Sequence, residues 1–119
     1  MVKVGEISQR TIDLLGLAIT AGTPIYLGDS NIEHIANRHP EDFEDYGADL
    51  ENILKYPDYV GLNQVNQSIE YVKVYTVQNI SVKVAVRVST GGNYFVRSLY
   101  ARDVSRISRA VANGQLLTY

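Results

Sequence analysis

The spacing of apolar positions changes character at Pro57. Before it, the period is helical. Ile7, Thr11, Leu14, Leu15 and Ala18 recur every three to four residues, and Gly22-Thr23-Pro24 closes that element. Pro24 to Leu27 reads as a short extended connection. Ser30-Asn31-Ile32-Glu33 has the Ser-x-x-Glu form of a capping box, which starts a helix at Ser30. That helix stops at His39, because Pro40 excludes helical geometry from the residue before it. A further helix is predicted from about Ala48 to Lys55, with Leu50, Ile53 and Leu54 inward and Tyr56-Pro57 ending it.

After Pro57 the pattern is that of strands. Tyr59 to Leu62 is a short one, and Ile69 to Val77 is rich in β-branched and aromatic residues, with a turn at Gln78-Asn79. Val82, Val84, Val86 and Val88 alternate with Ser81, Lys83, Ala85, Arg87 and Ser89, which predicts a strand apolar on one side and basic on the other. Thr90-Gly91-Gly92-Asn93 is a hairpin turn, and Tyr94 to Tyr100 is the return strand. A last helix starts at Asp103, with Val104, Ile107 and Val111 inward and Arg102, Arg106 and Arg109 off that stripe. Asn113-Gly114 ends it, and Leu116 to Tyr119 adds a short edge strand. Helices followed by antiparallel strands predict an α+β fold. The N-terminal helices pack on one face of a 4–5-stranded antiparallel sheet, with a closing C-terminal helix. On this reading the other face carries Lys83 and Arg87, with Lys73 and Arg97 nearby.

Composition narrows the classes. The chain has 119 residues, 45% hydrophobic and 20% charged, which suits one globular domain spanning residues 1–119. With no cysteine there is no disulfide scaffold, thiolate metal site or thiol nucleophile. No apolar run approaches the roughly 18 residues of a membrane span. Leu14 to Ile19 is too short and glycine-broken for a signal-peptide core, so export requires another segment.

Charge adds more. Residues 1–70 hold four cations against twelve carboxylates, a net of −8, whereas residues 71–119 hold seven cations against Asp103 alone, a net of +6. Such asymmetry suits a polyanion-binding surface, and equally suits two halves that neutralise each other.

Both histidines fall on one predicted helix. His34 shares a face with Asn31 and Arg38, while His39 stands at the C-terminus, where the helix dipole favours an imidazolium. Histidine is the side chain suited to proton transfer near neutral pH, though a surface His34 and a capping His39 fit the spacing as well. Glu33 and His34 are adjacent and diverge around the helix, which argues against a metal site. The second constellation is the basic sheet face: Lys73, Lys83, Arg87 and Arg97 with Tyr71, Tyr75 and Tyr94 between them. Cations grip phosphates and tyrosine rings stack on unpaired bases. Ser89-Thr90-Gly91-Gly92-Asn93 joins two strands and precedes no helix, so it is not a Walker or dinucleotide loop. It serves as a turn, or supplies Ser89 or Thr90 as an active-site hydroxyl.

The segment Ile32-Glu33-His34-Ile35-Ala36-Asn37-Arg38-His39-Pro40, followed by Tyr56-Pro57-Asp58-Tyr59-Val60, antiparallel strands and a closing helix, resembles the phage-associated and polymorphic-toxin branch of the barnase–EndoU–colicin–RelE nucleases. The resemblance spans roughly residues 25–112. It implies a metal-independent, cofactor-free endoribonuclease, often aimed at tRNA, carried as the C-terminal part of a larger secreted or phage protein. It further implies action in the cytoplasm of a bacterial target cell and a cognate immunity protein that blocks the site. Carried over by position, His34 and His39 match the family's histidine helix. Arg97 and the hydroxyls of Ser89, Thr90 or Tyr94 match its strand residues. Arg38, Lys73, Lys83 and Arg87 then hold the phosphate. Such an enzyme needs a base for the 2′ proton, an acid for the leaving 5′ oxygen and cations for the developing charge. His34 as base and His39 as acid or orienting group fill those roles, and the two are exchangeable.

One departure is the sequence pI near 5.6, which implies modest non-specific RNA affinity and an acidic segment Glu41 to Asp45 turned away from substrate. Two other functions share the same residues. One is a non-catalytic RNA- or protein-binding module on this fold. The other is an immunity-type nucleic-acid mimic using Glu33, Glu41, Asp42, Glu44 and Asp45. No long heptad argues for a dimer, so a monomer is expected.

Overall fold

The computed structural model describes all of residues 1–119 and shows an α+β fold around one seven-stranded sheet. Its strands are β1 Val2–Ile7, β2 Thr23–Leu27, β3 Tyr59–Leu62, β4 Ile69–Tyr75, β5 Ile80–Val88, β6 Tyr94–Asp103 and β7 Leu117–Thr118. They lie in the order β1-β2-β6-β5-β4-β3-β7. Every neighbouring pair is antiparallel except β2 and β6, which run parallel and touch only at Ile25–Tyr94 and Tyr26–Phe95. The helices are α1 Gln9–Leu15, α2 Asp29–Arg38, α3 Pro40–Tyr46, α4 Leu50–Lys55 and α5 Ser105–Ala112, with a single 3-10 turn at Gly47–Asp49.

The N-terminal third differs from the expectation of helices alone. Val2–Ile7 is a strand whose alternation is broken by a bulge between Lys3 and Gly5, so its period is hidden in the sequence. The extended Pro24–Leu27 segment is part of β2. Helix α2 begins one residue earlier than the Ser30 capping box predicts. Gly28 is the N-cap, and the Asn31 side chain reaches back to accept from the Gly28 N–H at 3.1 Å. The stop at His39 holds, but Pro40 does not end helical structure. It opens α3, because a proline at the first helical position loses no hydrogen bond. The acidic segment is therefore a helix.

Directly opposed residues on neighbouring strands share a face. Val82, Val84 and Val86 lie with Ile69, Tyr71, Val96 and Leu99, and all seven are buried at 2% exposure or less. Ile12 of α1, Ile35 of α2 and Leu50, Ile53 and Leu54 of α4 close over them to form the main core. Each buried aliphatic side chain contributes about 1.5–3 kcal/mol by leaving water. Helix α5 packs on the opposite face, not with the other helices. There Ile107 and Leu116 cover Val72 in a second, three-residue cluster. Val111, expected inward, is 37% exposed, and Ala110 takes the packing position instead. No helix is long and apolar enough to cross a membrane.

Strand β3 contacts the loop after α5 so closely that a Cβ on Gly61 would fall inside the Gln115 carbonyl oxygen and 3.0 Å from Leu116 Cδ2. Gly61→Ala should therefore destabilise the protein by about 2–3 kcal/mol, read as a lower denaturant midpoint. A buried and a half-buried phenol add a pH dependence. Tyr71 lies beside Thr11 and Tyr119 without a hydrogen bond to its hydroxyl, and burial pushes its pKa well up. Tyr75 is raised too, first by burial and then by donating its hydroxyl to Asp49. A raised phenol favours folding while the unfolded tyrosine is protonated, and that benefit is lost as pH climbs above about 10. The denaturant midpoint should hold from about pH 7 to 9 and fall above about 10, with a shallower fall in the Tyr71→Phe/Tyr75→Phe double variant.

Candidate nucleic-acid interface

Strand β6 is paired with β2 only at its start, so its later residues face an open edge. Helix α2 fills it. Gly28 sits against Phe95, so close that a Cβ on the glycine would stand 3.6 Å from that ring, and His39 packs on Tyr100 with ring centroids 5.3 Å apart. The helix thus runs alongside β6 from Phe95 to Tyr100. Helix α3 completes the cover: Asp42 accepts from the Ala101 N–H at 3.0 Å. The same carboxylate oxygen lies 3.9 Å from His39 Nδ1. Nδ1 is thus the ring nitrogen on the Asp42 side, too far for a hydrogen bond. His39 remains 41% exposed.

Tyr100 lies directly across from Lys83 on the open sheet face, and Arg102 packs 4.8 Å from the Tyr100 ring centroid. Between this face and α5 is a cleft of about 520 Å³. Lys83, Tyr100, Arg102, Arg106, Arg109 and Gln115 line it, and no carboxylate does. Lys83 does meet an acid: Glu70 lies 3.5 Å away on the same face. The open face therefore carries an acid among its cations. No arginine anywhere is within ion-pair distance of an Asp or Glu side chain. Three arginines line the cleft without a direct ion pair, and Asp103 acts on Arg106 only from beyond contact distance, which suits an anion-binding surface.

The sequence-predicted residues fall into separate groups. His39 and Lys83 are together, at either side of Tyr100. Arg87, Thr90 and Tyr94 lie at the far, hairpin end. The Val88–Tyr94 pair is five β5 residues from the Lys83–Tyr100 pair, about 17 Å along the strand. Arg97 stands between the groups as the extra residue of a bulge opposite Ala85 and Val86, its Nε buried and without a hydrogen-bond partner. His34 and Arg38 are exposed on α2. At 100° per residue His34 and His39 point about 140° apart, so they do not share a helix face. Lys73, with Tyr71 and Tyr75, lies on the core face. Its ammonium donates to the Tyr56 carbonyl at 2.9 Å, which removes it from the basic surface. Register decides this: Lys73 opposes Val82, not Lys83.

Arg102, Arg106, Arg109, Tyr100 and Asp42 were missing from the sequence-derived site. The signal for the arginines was present, since Arg106 and Arg109 lie off the apolar stripe of the last helix and all three lie in the half carrying +6. No three His, Asp or Glu side chains gather as a metal-ligand set.

A family model described as phage-Barnase-EndoU-ColicinE5/D-RelE like nuclease3 matches residues 2–109. No curated protein and no solved structure matches significantly. The match covers most of the chain, which belongs to this nuclease family.

Binding of single-stranded RNA should depend steeply on salt. With three unpaired arginines in the cleft, log K against log salt should fall with a slope of about −2. Arg106→Gln/Arg109→Gln should bring the slope to roughly −0.7 in a filter-binding titration.

Proposed function

We propose that this nuclease-family domain is a metal-independent endoribonuclease whose centre is His39, at the rim of the arginine cleft. The observation that carries the reading is the meeting, around Tyr100, of one histidine with Lys83 and Arg102 beside a cleft lined by no acid. RNA provides the nucleophile. His39 Nε2 takes the proton of the 2′-hydroxyl, the 2′ oxygen attacks phosphorus, and the P–O5′ bond breaks. The departing 5′ oxygen takes a proton from the Tyr100 hydroxyl, which lines the cleft, and leaves a 2′,3′-cyclic phosphate. Lys83, Arg102 and Arg106 hold the non-bridging oxygens as charge develops. Arg38, Arg87, Arg97, Thr90 and Tyr94 contact outlying parts of the strand. His34, on another side of α2, stays outside the reaction. With the family resemblance, we take the substrate to be tRNA and the context to be a toxin acting in a bacterial cytoplasm. Its inhibitor is an acidic immunity protein seated over the cleft.

The separation of His34 from His39 favours one competing reading, an RNA-binding module without activity. Incubation of purified protein with total tRNA in EDTA decides between them. Discrete fragments ending in cyclic phosphate are expected. His39→Ala should slow their appearance by about 10²–10⁴-fold and Tyr100→Phe by less, with His34→Ala near the parent rate. Intact tRNA at high protein concentration overturns the enzyme and leaves the binding module. Equal losses from His34→Ala and His39→Ala restore the two-histidine mechanism.

A further inference from the structure

At the hairpin end of the sheet, away from the cleft, the core face is not closed by a helix. A hollow of about 320 Å³ opens there, lined by Ile19, Leu62 and Tyr94, with Asn66, Gln67 and Arg87 among its bordering residues. Val88 beside it is 44% exposed. The volume and the mixture, an apolar and aromatic wall with few polar groups, are those of a small-ligand site.

The polar groups are already sorted. The Asn66 carbonyl oxygen accepts from the Ser68 N–H at 2.9 Å, which leaves its amide nitrogen free to donate. The Gln67 amide nitrogen donates to the Gln64 carbonyl at 3.3 Å, which leaves its carbonyl oxygen free to accept. Asn63 accepts from the Val65 and Asn66 N–H groups at 2.9 and 3.2 Å, so this loop is braced before any ligand arrives. Gln67 has φ +62, a left-handed conformation that glycine would adopt without strain. A donor and an acceptor side by side, over an aliphatic and tyrosine wall, match the edge and face of a nucleobase. Arg87 carries no acid partner and belongs to the open face of β5, about 13 Å from Lys83, yet it also borders the hollow, so it stands where the two faces meet at the end of the sheet.

We propose that this hollow is a nucleobase subsite, which holds one unpaired base of the bound RNA strand while Arg87 holds that nucleotide's phosphate. It rests on the reading of the domain as an RNA-binding nuclease, and would make cleavage depend on the base a short distance from the cut bond.

The test is NMR titration of the full chain with AMP, GMP, CMP and UMP, with adenosine, and with a 2′-O-methyl RNA hexamer, which cannot be cut. Mononucleotides should shift the Ile19 and Leu62 methyls and the Tyr94 ring, with one base preferred. Gln67→Gly should melt at or above the parent temperature yet bind that nucleotide roughly fivefold more weakly. Arg87→Gln should bind the nucleotide no better than the nucleoside. The hexamer should shift the hollow and the α5 cleft together. Shifts confined to the α5 cleft, or nucleotide binding unchanged in Gln67→Gly, overturn the subsite. Nucleotide binding in the hollow with no hexamer contact there overturns the link to RNA. None of these signals requires cleavage, so an inactive domain would still show the subsite, and an active one could lack it.

Discussion

The site is built by the need to cover half an edge. Strand β6 is the longest in the sheet and bonds to β5 along its length, but β2 accompanies it for only two residue pairs. Beyond Phe95 its outward amides would be unpaired, and a bare edge of that kind binds other chains or loses hydrogen bonds to burial. The chain answers by turning at Gly28 and continuing in the same direction as a helix. Pro40 then ends α2 and starts α3 without a linker, so the single residue between them, His39, has nowhere to go but against Tyr100. Asp42, in the first turn of α3, pairs with the Ala101 amide and faces the imidazole with the same oxygen. One carboxylate thereby seals the edge and stands beside the histidine.

Charge separation follows the same architecture. Acids concentrate in α3 and its neighbours, where Asp42 binds the sheet edge and Asp49 receives the Tyr75 hydroxyl. Cations concentrate in β5, β6 and α5, where no arginine is within ion-pair distance of a carboxylate side chain. Of the ion pairs in the fold only Lys83–Glu70 joins the two populations, so the −8 and +6 halves neutralise each other at one point and not across the cleft. A chain of net charge −2 can therefore present a positive cleft, because phosphate responds to the local field within about a Debye length, not to the total. The low pI limits long-range attraction and leaves the cleft itself intact.

How much of this could be read in advance depended on whether each residue's position was set by local periodicity or by register. Strands β3, β4, β5 and β6 were legible because their β-branched alternation is a local property, and Leu50, Ile53 and Leu54 because helical spacing is another. Strand β1 was not, since its bulge places Val4 and Ile7 out of step. Helix α3 was hidden by Pro40, which reads as a stop from one side and a start from the other. The face of Lys73 could not be known either. Strand β4 is apolar at both Tyr71 and Val72, because α5 covers its second face, and only pairing to Val82 reveals which side the lysine takes. His39 was found as a candidate from its type and place. Its partner Asp42 needed the edge of β6, which no spacing rule contains.

Helix α5 explains why there is a cleft at all. It rests on the open face through Ile107 and Leu116 over Val72, with Ala110 and Tyr59 at the margin, and so covers only the β3–β4 half. Arg106 and Arg109 overhang the uncovered half, where Lys83 and Tyr100 rise from the sheet. A helix with one buried side chain of its own, Ile107, braced by Leu116 and the loop at Gly61, is held more weakly than α4, which inserts Leu50, Ile53 and Leu54 into the main core. Elements with few buried apolar contacts open at the lowest free energy. Helix α5 is thus the less firmly packed wall of the cleft, whereas His39 is held on the other side of β6 through α2 and α3.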